Sequence, residues 1–469
     1  MNTRLQDRGI AGLQNVRVWV IAGLALLPFS VSADSASAWL DAYRAPAARL
    51  IVEATRDNFA WERLAVLTDT IGPRLSGSPQ LDHAIAWAVA EMKRDGLDNV
   101  HTEKVMVPKW VRGHESAEIV GLSRRPLAML GLGGSVATPP EGIEAPVVVV
   151  HGFEELEAHA ARIRGRIVLL NVAFTSYGET VRYRQRGPSR AARHGAVAVL
   201  IRSIGPDGLR LPHTGAVEYE AGAPRIPAAA VSSEDADALD RMAARSPRVV
   251  VRLRMEGHFE PDVESANVVA EIRGRERPEE IVVVSGHLDS WDVGAGATDD
   301  GGGCVVSWEA LRIMKKLNLR PRRTVRLVLW TNEENGGRGG LAYRDRHRAE
   351  LSRHVAMIES DNGVFRPSGF GFSGSDAARQ TIIAVASLLS DLPASSIVGG
   401  GDGADITPSV QEAHIPGLSL EVDSSTYFSI HHTQADTVDK IDPAEMAKCA
   451  AAMTVMAYVL ADMPQRLGS

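Results

Sequence analysis

Cysteine is nearly missing: the 469 residues hold only Cys304 and Cys449, so no disulfide framework supports this chain. Each lies in a stretch with the apolar pattern of a helix, which predicts two buried free thiols rather than a bridge. The N-terminal apolar run, Val18 to Phe29, falls short of the roughly 20 residues that a permanent membrane helix needs. There is no excess of positive charge: 51 Lys and Arg stand against 58 Asp and Glu, a formal net charge of −7. That balance argues against a nucleic-acid partner. Also absent are the Gly-x-Ser-x-Gly nucleophile elbow, the helical His-Glu-x-x-His zinc motif, internal repeats and low-complexity tracts. Those absences argue against a serine hydrolase and a helical-motif zinc protease.

What is present is the composition of a soluble globular protein, 45% hydrophobic and 23% charged, rather than of a disordered one. At roughly 100 to 200 residues per domain, the length predicts two or three compact units. Arg4, Arg8 and Arg17 precede the first apolar run, and Val31-Ser32-Ala33 follows it. This is the layout of an export signal, with cleavage expected after Ala33 and Ala38 as the alternative site. Removing residues 1–33 takes away three Arg and one Asp from a net charge of −7, which leaves −9. A periplasmic or secreted protein is expected.

The texture of the sequence changes twice, which predicts units at 34–117, 118–260 and 261–469. Ala47 to Thr68 and Pro79 to Asp95 have helical apolar spacing, with the loop Gly72 to Ser78 between them. From about Glu118 to His258, short β-rich runs separated by glycine and proline predict a small β-rich domain. These runs include Ala145 to Val150, Arg166 to Asn171, Ala196 to Ile201 and Val249 to Leu253. After Pro261, strands at Asn267 to Ile272, Ile281 to Ser285, Thr324 to Thr331, His354 to Glu359 and Gly417 to Val422 alternate with helices. The helices are expected at Gly302 to Leu317, Gly339 to Leu351, Asp376 to Ser390 and Pro443 to Ala461. The alternation predicts an α/β/α sandwich with a mixed, mainly parallel sheet, whose ligand sites lie at the carboxyl ends of the strands.

Chemistry-bearing residues collect at those ends. His287 and Asp289 follow one strand, Asp299 and Asp300 precede Gly301-Gly302-Gly303 at a helix start, and Glu333-Glu334 follow the next strand. Asp361 follows a third strand, and His431-His432 lies after the last. A single histidine or acidic pair is usually structural or solvated. Four consecutive strand ends converging on one edge are harder to explain that way, because the strands themselves are apolar. Two imidazoles and three carboxylates suit zinc, and cobalt or manganese also fit. Two ions roughly 3.5 to 4 Å apart need a shared carboxylate, for which Asp299 is the candidate, its following glycines letting the backbone turn sharply into the helix. Asp289 is the candidate for orienting the ring of His287. Adjacent Glu333 and Glu334 point different ways, so Glu334 is assigned to a metal and Glu333 to general-base catalysis.

The segments His287-Leu288-Asp289-Ser290-Trp291-Asp292, Asp299-Asp300-Gly301-Gly302-Gly303, Trp330-Thr331-Asn332-Glu333-Glu334, Glu359-Ser360-Asp361 and His431-His432, with Ile71 to Ser78 upstream, carry a resemblance. They resemble the di-zinc exopeptidases related to bacterial leucyl aminopeptidases, and most of all their plasma glutamate carboxypeptidase branch. The resemblance covers most of the chain beyond the signal. It implies His287, Asp299, Glu334, Asp361 and His432 as ligands of two Zn2+, and Glu333 as the base. It also selects His432 over His431 by the four-residue spacing to Asp436. A protease-associated inserted domain, a cis Asp299–Asp300 peptide bond and a homodimer are implied as well. Dipeptides or short peptides are the implied substrates, with an aminopeptidase on longer peptides as the alternative. A glutaminyl cyclase and a metal-free binding ectodomain are the rival readings. Tyr427 and Asp405 lie in loops near the proposed ligands and are the candidates for substrate contact.

Overall fold

The computed structural model describes residues 33–121, 124–246, 248–401 and 403–468. The expected signal, residues 1–32, lies outside them. Two eight-stranded sheets organise the described residues. In the first, β1 (Asp98–Val111), β2 (His258–Ile272), β3 (Arg277–His287), β4 (Arg323–Trp330), β5 (His354–Glu359), β6 (Pro367–Ser373), β7 (Ser396–Gly399) and β8 (Gly417–Val422) take the order β1-β2-β4-β3-β5-β8-β6-β7. The four inner strands β4, β3, β5 and β8 run parallel to one another. β1, β2 and β6 add antiparallel pairings, and β7 runs parallel to β6. The sheet is therefore mixed, with parallel strands at its centre, as the alternating pattern predicts.

The inner strands are largely apolar because both faces are covered, although β4 carries Arg326 and β8 carries Ser419 and Glu421. Helices Gly302–Lys316 and Pro443–Asp462 pack on one face, and residues of both helices belong to one core with Val282, Val284 and Leu327. The 20-residue helix Pro443–Asp462 is long and apolar enough to cross a membrane, yet it is almost wholly buried. Its start is sharp: the Asp442 carboxylate accepts the N–H groups of Ala444 and Glu445 at 2.8 and 3.1 Å, with Pro443 in the first turn. Cys304 and Cys449 sit in these two helices, buried and unbridged. The helical stretch expected at Ala47 to Thr68 is instead two helices, Ala33–Ala54 and Phe59–Val66, the second running on into a wide turn at Leu67–Ile71.

The second sheet comprises strands between Glu115 and Met255. The chain leaves the first sheet at the end of β1 and returns on β2, and these two strands pair antiparallel, with Val111 opposite His258. The second unit is thus inserted between neighbouring strands of the first. Its predicted β runs are present, with Ile167–Leu170, Ala198–Arg202 and Ala228–Val231 parallel at its centre. Helix Tyr177–Arg193 connects the first two and helix Ser233–Arg245 leads from the third to the strand Val250–Met255, each opened by a serine side chain that accepts a backbone N–H.

At the start of β5, a buried polar chain ties the sheet to helix Arg338–His347. Arg326 bonds Glu271 at 2.8 Å and donates to the Tyr343 hydroxyl at 3.0 Å. That hydroxyl lies 2.8 Å from His354 Nε2, and His354 Nδ1 lies 3.1 Å from the Glu350 carbonyl. The carbonyl requires a proton on Nδ1, so Nε2 is bare and accepts from tyrosine. Burial pushes the His354 imidazole down to about 4. Between the ordinary value near 6.5 and about 4, the unfolded chain binds a proton that the folded chain refuses. Stability is therefore fully present above about pH 6.5 and falls as pH drops toward about 4, by on the order of 3 kcal/mol. Urea melts at pH 7 and pH 4.5 should show this acid loss in the wild type and a smaller one in His354→Asn. Parallel losses would contradict the assignment.

Candidate metal centre

The parallel central strands deliver their carboxyl ends to one edge, and the candidate residues stand there. His287 is the last residue of β3, opposite Trp330, the last of β4. Glu333 and Glu334 follow β4 in a turn, Asp361 lies two residues past β5, and His431-His432 follows the short helix Tyr427–Ile430 after β8. Asp299 comes from the wide turn Ala297–Gly301 that leads into helix Gly302–Lys316, and the Asp299–Asp300 peptide bond is cis.

Asp299 is the hub. His287 Nε2 lies 3.1 Å from its Oδ1 and 3.4 Å from Asp361 Oδ1. His432 Nε2 lies 3.1 Å from its Oδ2 and 3.1 Å from Glu334 Oε2. The five residues thus form two trios, one on each oxygen of a single carboxylate. His431 Nε2 also comes within 3.3 Å of Asp299 Oδ2, and its ring stacks on His432 at 3.6 Å. Only His432 reaches Glu334 as well, which favours it over its neighbour. His432 holds a left-handed backbone (φ 60°), a strained conformation for a non-glycine residue of the kind that collects at functional sites.

The supports differ in part from the expectation. The ring of His287 is oriented by Asp289, but through the main-chain carbonyl, 2.9 Å from Nδ1. The Asp289 carboxylate is 4.0 Å from that nitrogen. It is spent elsewhere, accepting the N–H groups of Glu333 and Glu334 at 3.1 and 3.4 Å and the Ser76 hydroxyl at 3.2 Å. A carboxylate that fixes the backbone of both glutamates cannot also turn back to the imidazole. The Asp436 carboxylate holds Thr298 and the N–H of Asp299, while Asp300 accepts the N–H groups of His287 and Gly303. Arg74, in the loop singled out upstream, donates to the carbonyls of Gly72, Leu288, Ala295 and Gly296. It pins the loop between His287 and Asp299.

The glycines after Asp300 serve space rather than turning. Gly301 and Gly302 have helical dihedrals, whereas a Cβ on Gly303 would come 1.9 Å from the Ser360 carbonyl oxygen and 2.3 Å from Asp300 Oδ1.

The donor set fits a divalent metal. Asp299 Oδ2 is buried and accepts no hydrogen bond, although two imidazole nitrogens stand within 3.3 Å of it. Burial and the facing Asp299 push the Glu334 carboxyl up to about 7. Burial, with like-charged neighbours adding to it, raises those of Glu333 and Asp361. Against its burial, the imidazoles of His287 and His432 hold Asp299 well below the usual carboxylate range. Packed buried carboxylates with too little positive charge among them are what bound cations would neutralise.

A cavity of about 660 Å³ opens over this edge, within the size range of small-ligand sites. Glu333, Glu334, Asp361, Tyr427 and His432 line it. Tyr427 is thus part of the cavity wall. Asp405 is not: it is buried, outside the cavity lining, with its N–H 3.4 Å from the Glu359 carboxylate. Sequence reasoning missed the contribution of the inserted unit, whose Tyr177, Arg184 and Gln185 also line the cavity. No local pattern marks them.

Residues 267–457 match the model of peptidase family M28. Carboxypeptidase Q of Rattus norvegicus is 49% identical over 418 residues, 89% of this chain and 88% of that protein. The crystal structure of a peptidase M28 precursor from Shewanella amazonensis SB2B is similar with a TM-score of 0.88 at 36% identity, covering 92% of this chain and 99% of that one. BSAP, a zinc aminopeptidase from Bacillus subtilis, shares the fold with a TM-score of 0.67 at 19% identity over 87% of this chain and 96% of its own. With the conserved-length match to carboxypeptidase Q and the converging strand-end residues, the chain belongs to peptidase family M28.

Proposed function

We propose that this M28 peptidase is a zinc metallo-exopeptidase holding two Zn2+, one by His287, Asp299 and Asp361, the other by Asp299, Glu334 and His432. The observation that carries the reading is the division of Asp299: each oxygen faces a different imidazole, and each of those imidazoles faces a further carboxylate. The bound ions would polarise the scissile carbonyl and make water a better nucleophile. Glu333 is the general base. Its backbone is fixed by Asp289, and its side chain lines the cavity, where it takes a proton from the attacking water and passes it to the leaving amine. Asp289 and Asp436 act as positioning residues for the two glutamates and for Asp299.

The substrates are dipeptides or short peptides, in line with the relative named carboxypeptidase Q. The return of the chain from β1 to β2 supports a catalytic domain formed by 34–117 and 261–469, with 118–260 as the protease-associated insert. Export of a chain beginning at Asp34 and assembly as a homodimer belong to the same reading. N-terminal sequencing and light scattering test them.

Kinetics on free dipeptides, N-blocked dipeptides and C-terminal amides test the substrate end. Amidation should lower kcat/KM sharply, and a loss on N-blocking as well would mark a strict dipeptidase. Loss on N-blocking alone would make the protein an aminopeptidase. Cyclisation of N-terminal glutaminyl peptides, or absence of both zinc and turnover, would favour the rival readings.

A further inference from the structure

The two imidazoles of the centre are oriented from different parts of the molecule. Nδ1 of His287 meets a carbonyl of its own loop, that of Asp289 at 2.9 Å. His432 turns Nε2 toward Asp299 and Glu334, so its Nδ1 carries the hydrogen. That nitrogen lies 3.3 Å from the carbonyl oxygen of Thr214, a residue of the inserted unit. Thr214 returns a second bond, its N–H donating to the His432 carbonyl at 2.9 Å. One residue of the insert thus holds both the ring and the main chain of His432, whose left-handed backbone persists only where the surroundings fix it.

Thr214 is fully buried and is itself anchored. Its hydroxyl donates to the Gly131 carbonyl at 2.8 Å and accepts from Arg112 Nη2 at 3.3 Å. Arg112 in turn forks onto the Asp292 carboxylate at 2.6 and 2.8 Å, in the loop that follows His287. Beside Thr214, His213 Nε2 lies 2.9 Å from the Phe428 carbonyl oxygen, and its Nδ1 lies 2.7 Å from the Ser203 hydroxyl. The contact has no slack: a Cβ on Gly205 would come 2.4 Å from His213 Nε2 and 2.7 Å from that Phe428 oxygen. A group that orients a metal-bound imidazole through its outer nitrogen changes metal affinity by roughly 10- to 100-fold. We propose that Thr214 is a positioning residue for one metal ion only. Through it the inserted unit sets the affinity of the ion between Asp299, Glu334 and His432, whereas the imidazole of the other ion, His287, is oriented within its own loop. The assignment rests on the two-zinc reading above and goes beyond it by making the two ions unequal.

Zinc dissociation constants, read by competition with a chromogenic chelator in the wild type, Thr214→Val and Thr214→Ser, test it, and the His432→Ala background identifies the ion that responds. Thr214→Val keeps the size of the side chain and removes the hydroxyl that anchors the carbonyl facing His432. It should weaken one ion about tenfold and leave the other at the wild-type value. Thr214→Ser, which keeps the hydroxyl, should hold both ions as the wild type does. In His432→Ala, where one ion remains, adding Thr214→Val should change nothing. If the valine variant fails to fold, His213→Ala, which cuts the neighbouring bond to Phe428, should give the same loss at one ion. Equal weakening of both ions, or a loss that persists in the His432→Ala background, would mean a general effect on the fold and would overturn the proposal. So would a Thr214→Val protein that binds both ions as the wild type does, a result that leaves the two-zinc reading standing. A wild type that binds a single ion defeats that reading, and the unequal pair with it.

Discussion

Glu333→Gln should lower kcat on a dipeptide by about a thousandfold, within the range expected for losing a general base, while zinc content and melting temperature stay at the wild-type level. Glutamine keeps the shape of the side chain and the backbone N–H that Asp289 holds at 3.1 Å, but it cannot accept the proton of the attacking water. Glu333 belongs to neither trio around Asp299, so its charge is dispensable for holding metal. Neighbouring Glu334 is not: its Oε2 is 3.1 Å from His432, and Glu334→Gln should lose zinc together with activity. The pair of variants separates the two roles by metal analysis. A Glu333→Gln protein with more than a tenth of wild-type kcat would show that another group moves the proton.

Asp299→Ala should be the most damaging single change at the site, lowering kcat by at least about 10⁴-fold. Asp299 contacts both imidazoles through different oxygens, so its removal dismantles both trios at once. His432→Ala removes one trio only and leaves His287, Asp299 and Asp361 together. It should therefore keep one tightly held ion. Asp361→Ala should do the same from the other side. Asp299→Asn tests charge alone, since the amide keeps the size of the side chain and loses the anion that two cations would share.

Much of this site was legible because parallel apolar strands make poor places for charge. His287, Glu334, Asp361 and His432 stand out against strands whose residues are almost all buried, and the topology sends those strands to one edge. The strands that escaped notice lack that contrast. β1 is an edge strand with alternating exposed residues and an internal proline, β6 is broken by glycine, and β7 has four residues. Asp289 shows a different limit. Spacing alone places it beside His287, but a carbonyl and a carboxylate of one residue compete for the same ring nitrogen, and only coordinates show that the carbonyl prevails. Asp405 likewise falls in a loop near the ligands by sequence, but it is buried outside the cavity lining, with its N–H on the Glu359 carboxylate. Arg184 had no signal of its own, because nothing in the local sequence marks a residue that reaches the cavity from the inserted unit. The choice of His432 over His431 rested on resemblance, and the 3.1 Å approach to Glu334 adds a physical reason.

The most direct test is the number of zinc ions per chain, measured by plasma mass spectrometry after loading and removal of free metal, in the wild type, His432→Ala and Asp299→Ala. Two, one and fewer than one are expected in that order. A wild type that holds a single ion, or an Asp299→Ala protein that still holds two, would contradict a centre built around one shared carboxylate.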